Sequence, residues 1–206
     1  MLRKVLFDAF GVPAGCWGWV GGRLMGALNR DINELTVGLL EVGPRDRVLE
    51  IGYGPGTALA LLGERASEGL IAGVDPSAEM ARQARRRNCR LVRAGRVRLA
   101  LGDSAHLPFA PAQFDRVCSV NTIYFWPRPE ADLAELHRVL KPGGRAALTF
   151  RGKRDSSGTL TVRNIYGAEY SVEQVAAMLT AVGLRDVHME VRKLRFVTAV
   201  CLVGRA

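Results

Sequence analysis

The stretch "VLEIGYGPGTALA", residues 48–60, joins a hydrophobic run ending near a carboxylate to three glycines at alternate positions. The run has the length of a buried strand, and the residues after the glycines have the composition of a helix. Strand, glycine turn and helix in that order open a parallel sheet covered by helices. In such sheets ligands lie in the crevice outside the carboxyl ends of the strands. Glycines there let the chain turn tightly and bring backbone against a ligand without an intervening Cβ. The spacing is Gly52-x-Gly54-x-Gly56, not the G-x-G-x-x-G that cradles a pyrophosphate at a helix N-terminus. A glycine-rich turn also arises for purely structural reasons, so the motif needs support from its neighbours.

The alternation of strand and helix continues outward from this unit. "RVLEI" (47–51) is the first strand, with its helix over 57–66. "LIAGV" (70–74) is the second, followed by a helix over 77–87; "VRLALG" (97–102) and "FDRVCSV" (114–120) are the third and fourth. "RPEADLAELHRVL" (128–140) reads as a helix with Leu133, Leu136 and Leu140 on one face, stopped by Pro142-Gly143-Gly144. "RAALTF" (145–150) is the fifth strand, and the polar segment 151–168 reads as a mobile connection. Ser171 with Gln174 three residues on forms a capping box, predicting a helix over 172–182 closed by Gly183. The tail "VHMEVRKLRFVTAVCLVGR" reads as two strands around a turn at 192–194. Residues 22–41 read as a helix outside the sheet, packing over its edge. The expectation is an α/β, doubly wound, mostly parallel seven-stranded sheet with a C-terminal antiparallel hairpin and an extra N-terminal helical segment. One domain spans 1–206, with 1–42 as a lid or cap and 43–206 as the core.

Composition agrees with a globular chain: 206 residues, 48% of them apolar, and no low-complexity run. No apolar stretch approaches the roughly 20 residues that span a bilayer. The N-terminus is basic but lacks the apolar core and cleavage site of a signal peptide. Cys16, Cys89, Cys118 and Cys201 are scattered without paired spacing, which argues against a zinc site or a disulfide framework and for a reduced, cytoplasmic protein. The net charge is +9, carried mostly by arginine and densest in "ARQARRRNCRLVRAGRVR" (81–98). That stretch reads either as a polyanion patch or as a solvated helix face in an arginine-rich chain.

Two carboxylates sharpen the glycine motif. Asp75 ends the second strand in "GVDPS", 25 residues after Glu50, where a carboxylate accepts from both hydroxyls of a ribose. It is equally placed to cap the helix that starts near Ser77, and the two roles are compatible. Asp103 ends the third strand in "LGDSAHLPF", on the same sheet edge, where it can accept from an exocyclic amine. Together they point to an adenosine-containing ligand with no phosphates to hold.

With these segments in view, the chain resembles the class I S-adenosylmethionine-dependent methyltransferases, nearest the ubiquinone/menaquinone-biosynthesis C-methyltransferase-like group. The resemblance covers residues 46–183 and rests on "VLEIGYGPG", "GVDPSAEM", "GDSAHLPF" and "FDRVCSVNTIYFWPRPEADLAELHRVLKPGGR". It implies the Rossmann-like methyltransferase fold and S-adenosylmethionine as cofactor. By this resemblance Glu50, Gly52, Gly54 and Gly56 surround the amino-acid end of the cofactor. Asp75 takes the ribose, and Pro76 and Met80 flank the adenine. Gly102, Asp103 and Ser104 form the adenine loop, with Asp103 accepting from the amine, and Asn121 lies near the sulfonium.

Methyl transfer from a sulfonium is an in-line displacement in which the protein mainly aligns the reactants, and a base is needed only where the nucleophile must lose a proton. In "NTIYFW" (121–126), Tyr124 is a candidate to orient a substrate oxygen or stack on a ring, while Phe125 and Trp126 read as hydrophobic cover. His106 is a candidate base in the adenine-side loop, or a loop histidine without a role. His137 reads as a partly buried histidine beside leucines, and His188 carries no assignment. The three share no metal-ligand spacing, so no metal is expected. Trp17, Trp19 and Met25 among glycines read as a lid over a flat, apolar substrate, as core contacts, as a membrane-surface contact or as a dimer face. Asn29, Arg30 and Asn33 reach either the cofactor carboxylate or solvent.

The expected activity is methyl transfer to a small, hydrophobic or aromatic molecule, with no stable nucleic-acid partner, no transmembrane segment and a homodimer as one option. A nucleic-acid methyltransferase is the first alternative, opposed by "NTIY" where enzymes acting on base amino groups carry a proline pair. Intramolecular ring closure that leaves no methyl group is the second. A non-catalytic scaffold fits the intact set of site residues poorly, and a nicotinamide dehydrogenase fits the glycine spacing poorly.

Overall fold

Strand β1 (Arg47–Ile51) is buried on both faces, as the centre of a parallel sheet requires: Leu49 and Ile51 enter one core and Val48 the other. The computed structural model describes residues 29–194 and 197–206. After β1 follow α2 (Thr57–Arg65), β2 (Leu70–Asp75), α3 (Ala78–Arg87), a short α4 (Cys89–Arg93), β3 (Val97–Leu101) and β4 (Phe114–Val120). Helix α1 (Arg30–Leu40) precedes them. The chain continues through α5 (Pro129–Val139), β5 (Leu140–Arg154), β6 (Leu160–Arg163), β7 (Glu169–Ser171), α6 (Val172–Ala181), β8 (Arg185–Lys193) and β9 (Thr198–Arg205).

Strands β3, β2, β1, β4 and β5 lie side by side in that order and all run parallel. Strand β9 then pairs antiparallel with β5, and β8 with β9, completing the seven-stranded main sheet with its C-terminal hairpin. The predicted capping box is present, Ser171 and Gln174 exchanging side-chain bonds with each other's backbone amides. Leu133, Leu136 and Val139 of α5 and Val175 and Leu179 of α6 fill the core on one face; Leu59 and Leu62 of α2 and Met80 and Ala84 of α3 fill the other.

Two expectations are corrected. Residues 151–168, expected as a polar, mobile connection, carry strands. Strand β5 runs on to Arg154 and pairs with β6, and β6 with β7, as a small antiparallel extension. The alternate residues Leu160 and Val162 are buried, and Asp155 closes the turn by accepting the Ser157 and Thr159 amides. Helix α1 lies over the middle of the sheet rather than its edge. Thr36 is fully buried against Thr149 of β5, their hydroxyls 2.8 Å apart, and Arg145 of β5 donates to the Leu39 carbonyl at 2.9 Å. The earlier part of that expected helix, up to residue 28, lies outside the described residues, as do Trp17, Trp19 and Met25.

Arg85, Arg86 and Arg87 of α3 and Arg90 and Arg93 of α4 are exposed. No helix among the described residues is long and apolar enough to cross a membrane.

Candidate functional site

A cavity of about 420 Å³ opens at the carboxyl ends of β1, β2, β3 and β4. It gathers Glu50, Gly52, Gly54, Asp75, Pro76, Met80, Gly102, Asp103, Ser104, His106 and Asn121 on one wall system, although these residues span 72 positions of sequence from 50 to 121. Gly56 and Tyr124 are not on the wall.

The glycine turn explains the first split. Gly54 has φ +48°, and a Cβ there would meet no atom within 4 Å, so its face is open to the cavity. Gly56 has φ +78°, and a Cβ there would strike Asn88 Nδ2 at 2.6 Å and the Ala84 Cβ at 2.8 Å. Gly56 therefore exists to bring α2 against α3, and its carbonyl accepts from Asn88 at 2.9 Å. Alternate glycines in one motif serve a ligand face and a packing face.

Asp75 supports the turn from below. Its Oδ2 accepts the Gly54 amide and its Oδ1 the Ser77 amide, each at 2.8 Å. The cap of α3 is Ser77, whose Oγ accepts from the Met80 amide. Burial raises the Asp75 pKa, and the two backbone amides work against that rise. Each carboxylate oxygen retains a lone pair for a further donor.

Glu50 is 3% exposed, and its Oε2 has no hydrogen-bond partner. Burial first, and the Asp75 carboxylate second, push its pKa well above the usual carboxylate range, against a backbone hydrogen bond from Leu59. Thr57 Oγ1, on the first turn of α2 and on the same wall, is also buried without a partner. An orphaned buried polar group costs about 1–3 kcal/mol, and a polar ligand in the cavity would satisfy both. An amino-acid end carrying an ammonium and a carboxylate fits them: the ammonium at Glu50, the carboxylate at the Thr57 hydroxyl and the α2 N-terminus.

On the β4 side, Asn121 holds φ +57°, a conformation asparagine tolerates better than most residues. Its Nδ2 donates to Asn29 Oδ1 at 3.2 Å, and Asn29 also accepts from Arg151 at 2.6 Å. Asn29 and Asn33 both line the cavity, while Arg30 turns outward to Glu34 at 2.9 Å. Tyr124 stands behind Asn121, with its hydroxyl 3.3 Å from Asn121 Oδ1 and accepting the Arg151 amide at 2.5 Å. Burial pushes the Tyr124 phenol up to about 12, with the Arg151 hydrogen bond opposing it.

Phe125, Trp126, Pro127 and Tyr166 form an apolar end of the same cavity. Tyr166 arrives on the β6–β7 connection, which Asn164 ties to the Trp126 carbonyl at 3.2 Å and Ile165 to the Tyr124 carbonyl at 2.9 Å. His106 is exposed at the mouth, 3.3 Å from Asp103. Sequence reading missed Asp132, Thr57, Thr122 and Tyr166 on the wall. Thr57 was within reach, as the first helical residue after the glycines; Tyr166 was hidden in a segment read as a polar, mobile connection.

Residues 49–148 match a family profile described as a methyltransferase domain. An uncharacterized methyltransferase of Bacillus subtilis, YdaC, is 28% identical over 186 residues, covering 90% of this chain and 97% of its own length. The ubiquinone/menaquinone biosynthesis C-methyltransferase UbiE of Geotalea daltonii is 31% identical over 126 residues, 59% of this chain and 52% of that protein. The chain thus spans nearly all of the first relative and about half of the second. A crystal structure of a SAM-dependent methyltransferase from Aquifex aeolicus superposes with a TM-score of 0.66 at 21% identity, over 88% of this chain and 91% of that one.

Proposed function

We propose that the chain is a class I S-adenosylmethionine-dependent methyltransferase, that this cavity holds the cofactor, and that the protein methylates a small, apolar or aromatic molecule. The observation that carries the reading is the join of two unlike walls in one cavity. A polar wall with orphaned groups at Glu50 and Thr57 meets an aromatic wall of Phe125, Trp126 and Tyr166. S-adenosylmethionine, bound there, supplies an activated, electrophilic methyl group. Glu50 faces the positive charge, Asp75 accepts from the ribose hydroxyls, and Gly54 lets the backbone approach, while Gly52 lines the cavity at a point where an added Cβ would strike Thr122. Pro76 and Met80 pack on the base, beside the loop of Gly102 to Ser104. Asn121, fixed by Asn29 and Tyr124, borders the reacting end.

The aromatic wall orients the acceptor and excludes water, which is the main contribution such a reaction asks of the protein. His106, the one imidazole on the wall among the described residues, takes a proton where the acceptor atom carries one. Residues 1–206 act as one domain in the reducing cytoplasm, with residues 43–206 as the cofactor-binding core. The relative named for ubiquinone and menaquinone biosynthesis supports a flat, apolar acceptor.

Isothermal titration with S-adenosylmethionine and S-adenosylhomocysteine tests the reading directly. Micromolar binding of both is expected, followed by products heavier by one methylene unit from a panel of phenols and quinols. If neither ligand binds, the cofactor site and the enzyme reading are both wrong.

A further inference from the structure

Strand β8 ends the main sheet: among the described residues it pairs with β9 and with no other strand. The Leu194 amide donates to the Val197 carbonyl of the facing strand at 2.8 Å, which fixes the phase of the ladder. Because bonded pairs alternate along an antiparallel ladder, Arg192, Glu190 and His188 also turn their amides and carbonyls toward β9. Met189, Val191 and Lys193 therefore turn theirs away from the sheet. A register shift lies between Arg185 and His188, so the regular free edge is residues 188–194, with Val191 at its centre.

One face of this edge is charged and the other apolar. Glu190 and Arg192 form an ion pair of 3.1 Å and remain 33% and 58% exposed. On the opposite face Met189 is 44% exposed, and with Val191 and Leu160 it lines a groove that reaches Glu173 of α6. A free strand edge is a template for a further strand, and charges along it block a second copy only where like meets like. In a two-fold antiparallel pairing centred on Val191, like does not meet like. Glu190 of each copy lies opposite Arg192 of the other, at the non-hydrogen-bonded positions where side chains come closest. Lys193 lies opposite Met189, where its aliphatic stem runs along the methionine. Pairings centred on Glu190 or Arg192 would set like charges face to face, and one centred on Met189 would run into the register shift.

We propose that β8 is a dimerisation edge, on which a second copy of this chain adds its own β8 to make one continuous sheet. Main-chain bonds at Met189, Val191 and Lys193 join the strands, and Glu190 and Arg192 of the two copies close a ring of alternating charge. On the other face the Met189 and Val191 side chains of both copies form one apolar strip, continuous with the groove at Leu160, which takes Met189 out of water. The interface is isologous, as a two-fold axis requires. It uses no residue of the cavity wall, so it stands or falls apart from the cofactor reading.

Sedimentation velocity of the full chain, from micromolar to submillimolar concentration, tests the proposal. The wild type should be a dimer that dissociates on dilution. Glu190→Arg and Arg192→Glu each set like charges opposite one another and should weaken association by about 100-fold or more. A mixture of these two variants should dimerise again, because the arginines of one chain then face the glutamates of the other. The double variant Glu190→Arg/Arg192→Glu should dimerise by itself. Circular dichroism matching the wild type identifies a folded monomer. Met189→Arg, which sets a cation opposite Lys193 at a position already exposed, should also give a monomer, and it decides the matter if the single charge variants do not fold. A wild-type chain that stays monomeric throughout overturns the proposal. So does a dimer that persists in the folded single variants, or in Met189→Arg where that variant decides, and so does a mixture that fails to reassociate.

Discussion

Asp75 holds Gly54: the carboxylate that faces the cavity also accepts the amide at the summit of the glycine turn, at 2.8 Å. Its other oxygen takes the Ser77 amide, so a single side chain ties the ends of β1 and β2 together. Asparagine can match only one of these bonds, because its amide nitrogen would oppose an N–H. Asp75→Asn should lose about 1–3 kcal/mol of stability in urea unfolding and at least tenfold in affinity for S-adenosylhomocysteine. A variant of unchanged affinity would remove Asp75 from the site.

Gly54 and Gly56 should respond oppositely to alanine. At Gly54 the added Cβ meets open space, so the fold bears only the left-handed backbone, about 1–2 kcal/mol, while the methyl group stands where the ligand must approach. At Gly56 the Cβ strikes Asn88 and Ala84 as well, adding about 1–3 kcal/mol of overpacking. Gly54→Ala should therefore melt near the wild type and bind weakly. Gly56→Ala should melt far lower and bind normally in whatever fraction stays folded.

Asp132 should make stability fall as pH rises. Its folded-state pKa of about 6 stands above the ordinary 3.8. The folded chain thus holds the proton more tightly than the unfolded one, and stability from this group is full below about pH 4 and lost as pH rises through 6. At about 1.4 kcal/mol per unit, the loss is up to about 3 kcal/mol. Asp132→Asn should accordingly be more stable than wild type at pH 8 and gain little at pH 4, measured by urea unfolding at both. An equal difference at the two pH values would mean that the carboxylate does not titrate in this range.

Tyr124→Phe should separate support from catalysis. The change leaves the Arg151 amide without its acceptor, at a cost of about 1–3 kcal/mol, and frees Asn121 on one side. Because burial keeps the phenol protonated through pH 10, the wild-type pH–rate profile should show no tyrosine limb below that value. A limb near pH 9 that disappears in Tyr124→Phe would make Tyr124 a base after all.

Local signals carried the strand and helix order, since β1 to β5 each carry a short apolar-rich stretch and α3 and α6 carry side-chain caps at Ser77 and Ser171. They failed where burial depends on distant partners. Leu160 and Val162 look like isolated apolar residues until β5 extends to pair with them. Asp132 looks like any acidic residue in a first helical turn until Ser104 meets it.

The glycine spacing, Glu50, Asp75 and the element order follow from sequence alone, because each is imposed by chain geometry within a few residues. Which glycine faces a ligand and which faces a helix was decided by the approach of α3 to α2. Which carboxylates are buried was decided by α5 and the loop after β3, elements that a parallel sheet brings together only after the whole chain has wound around it.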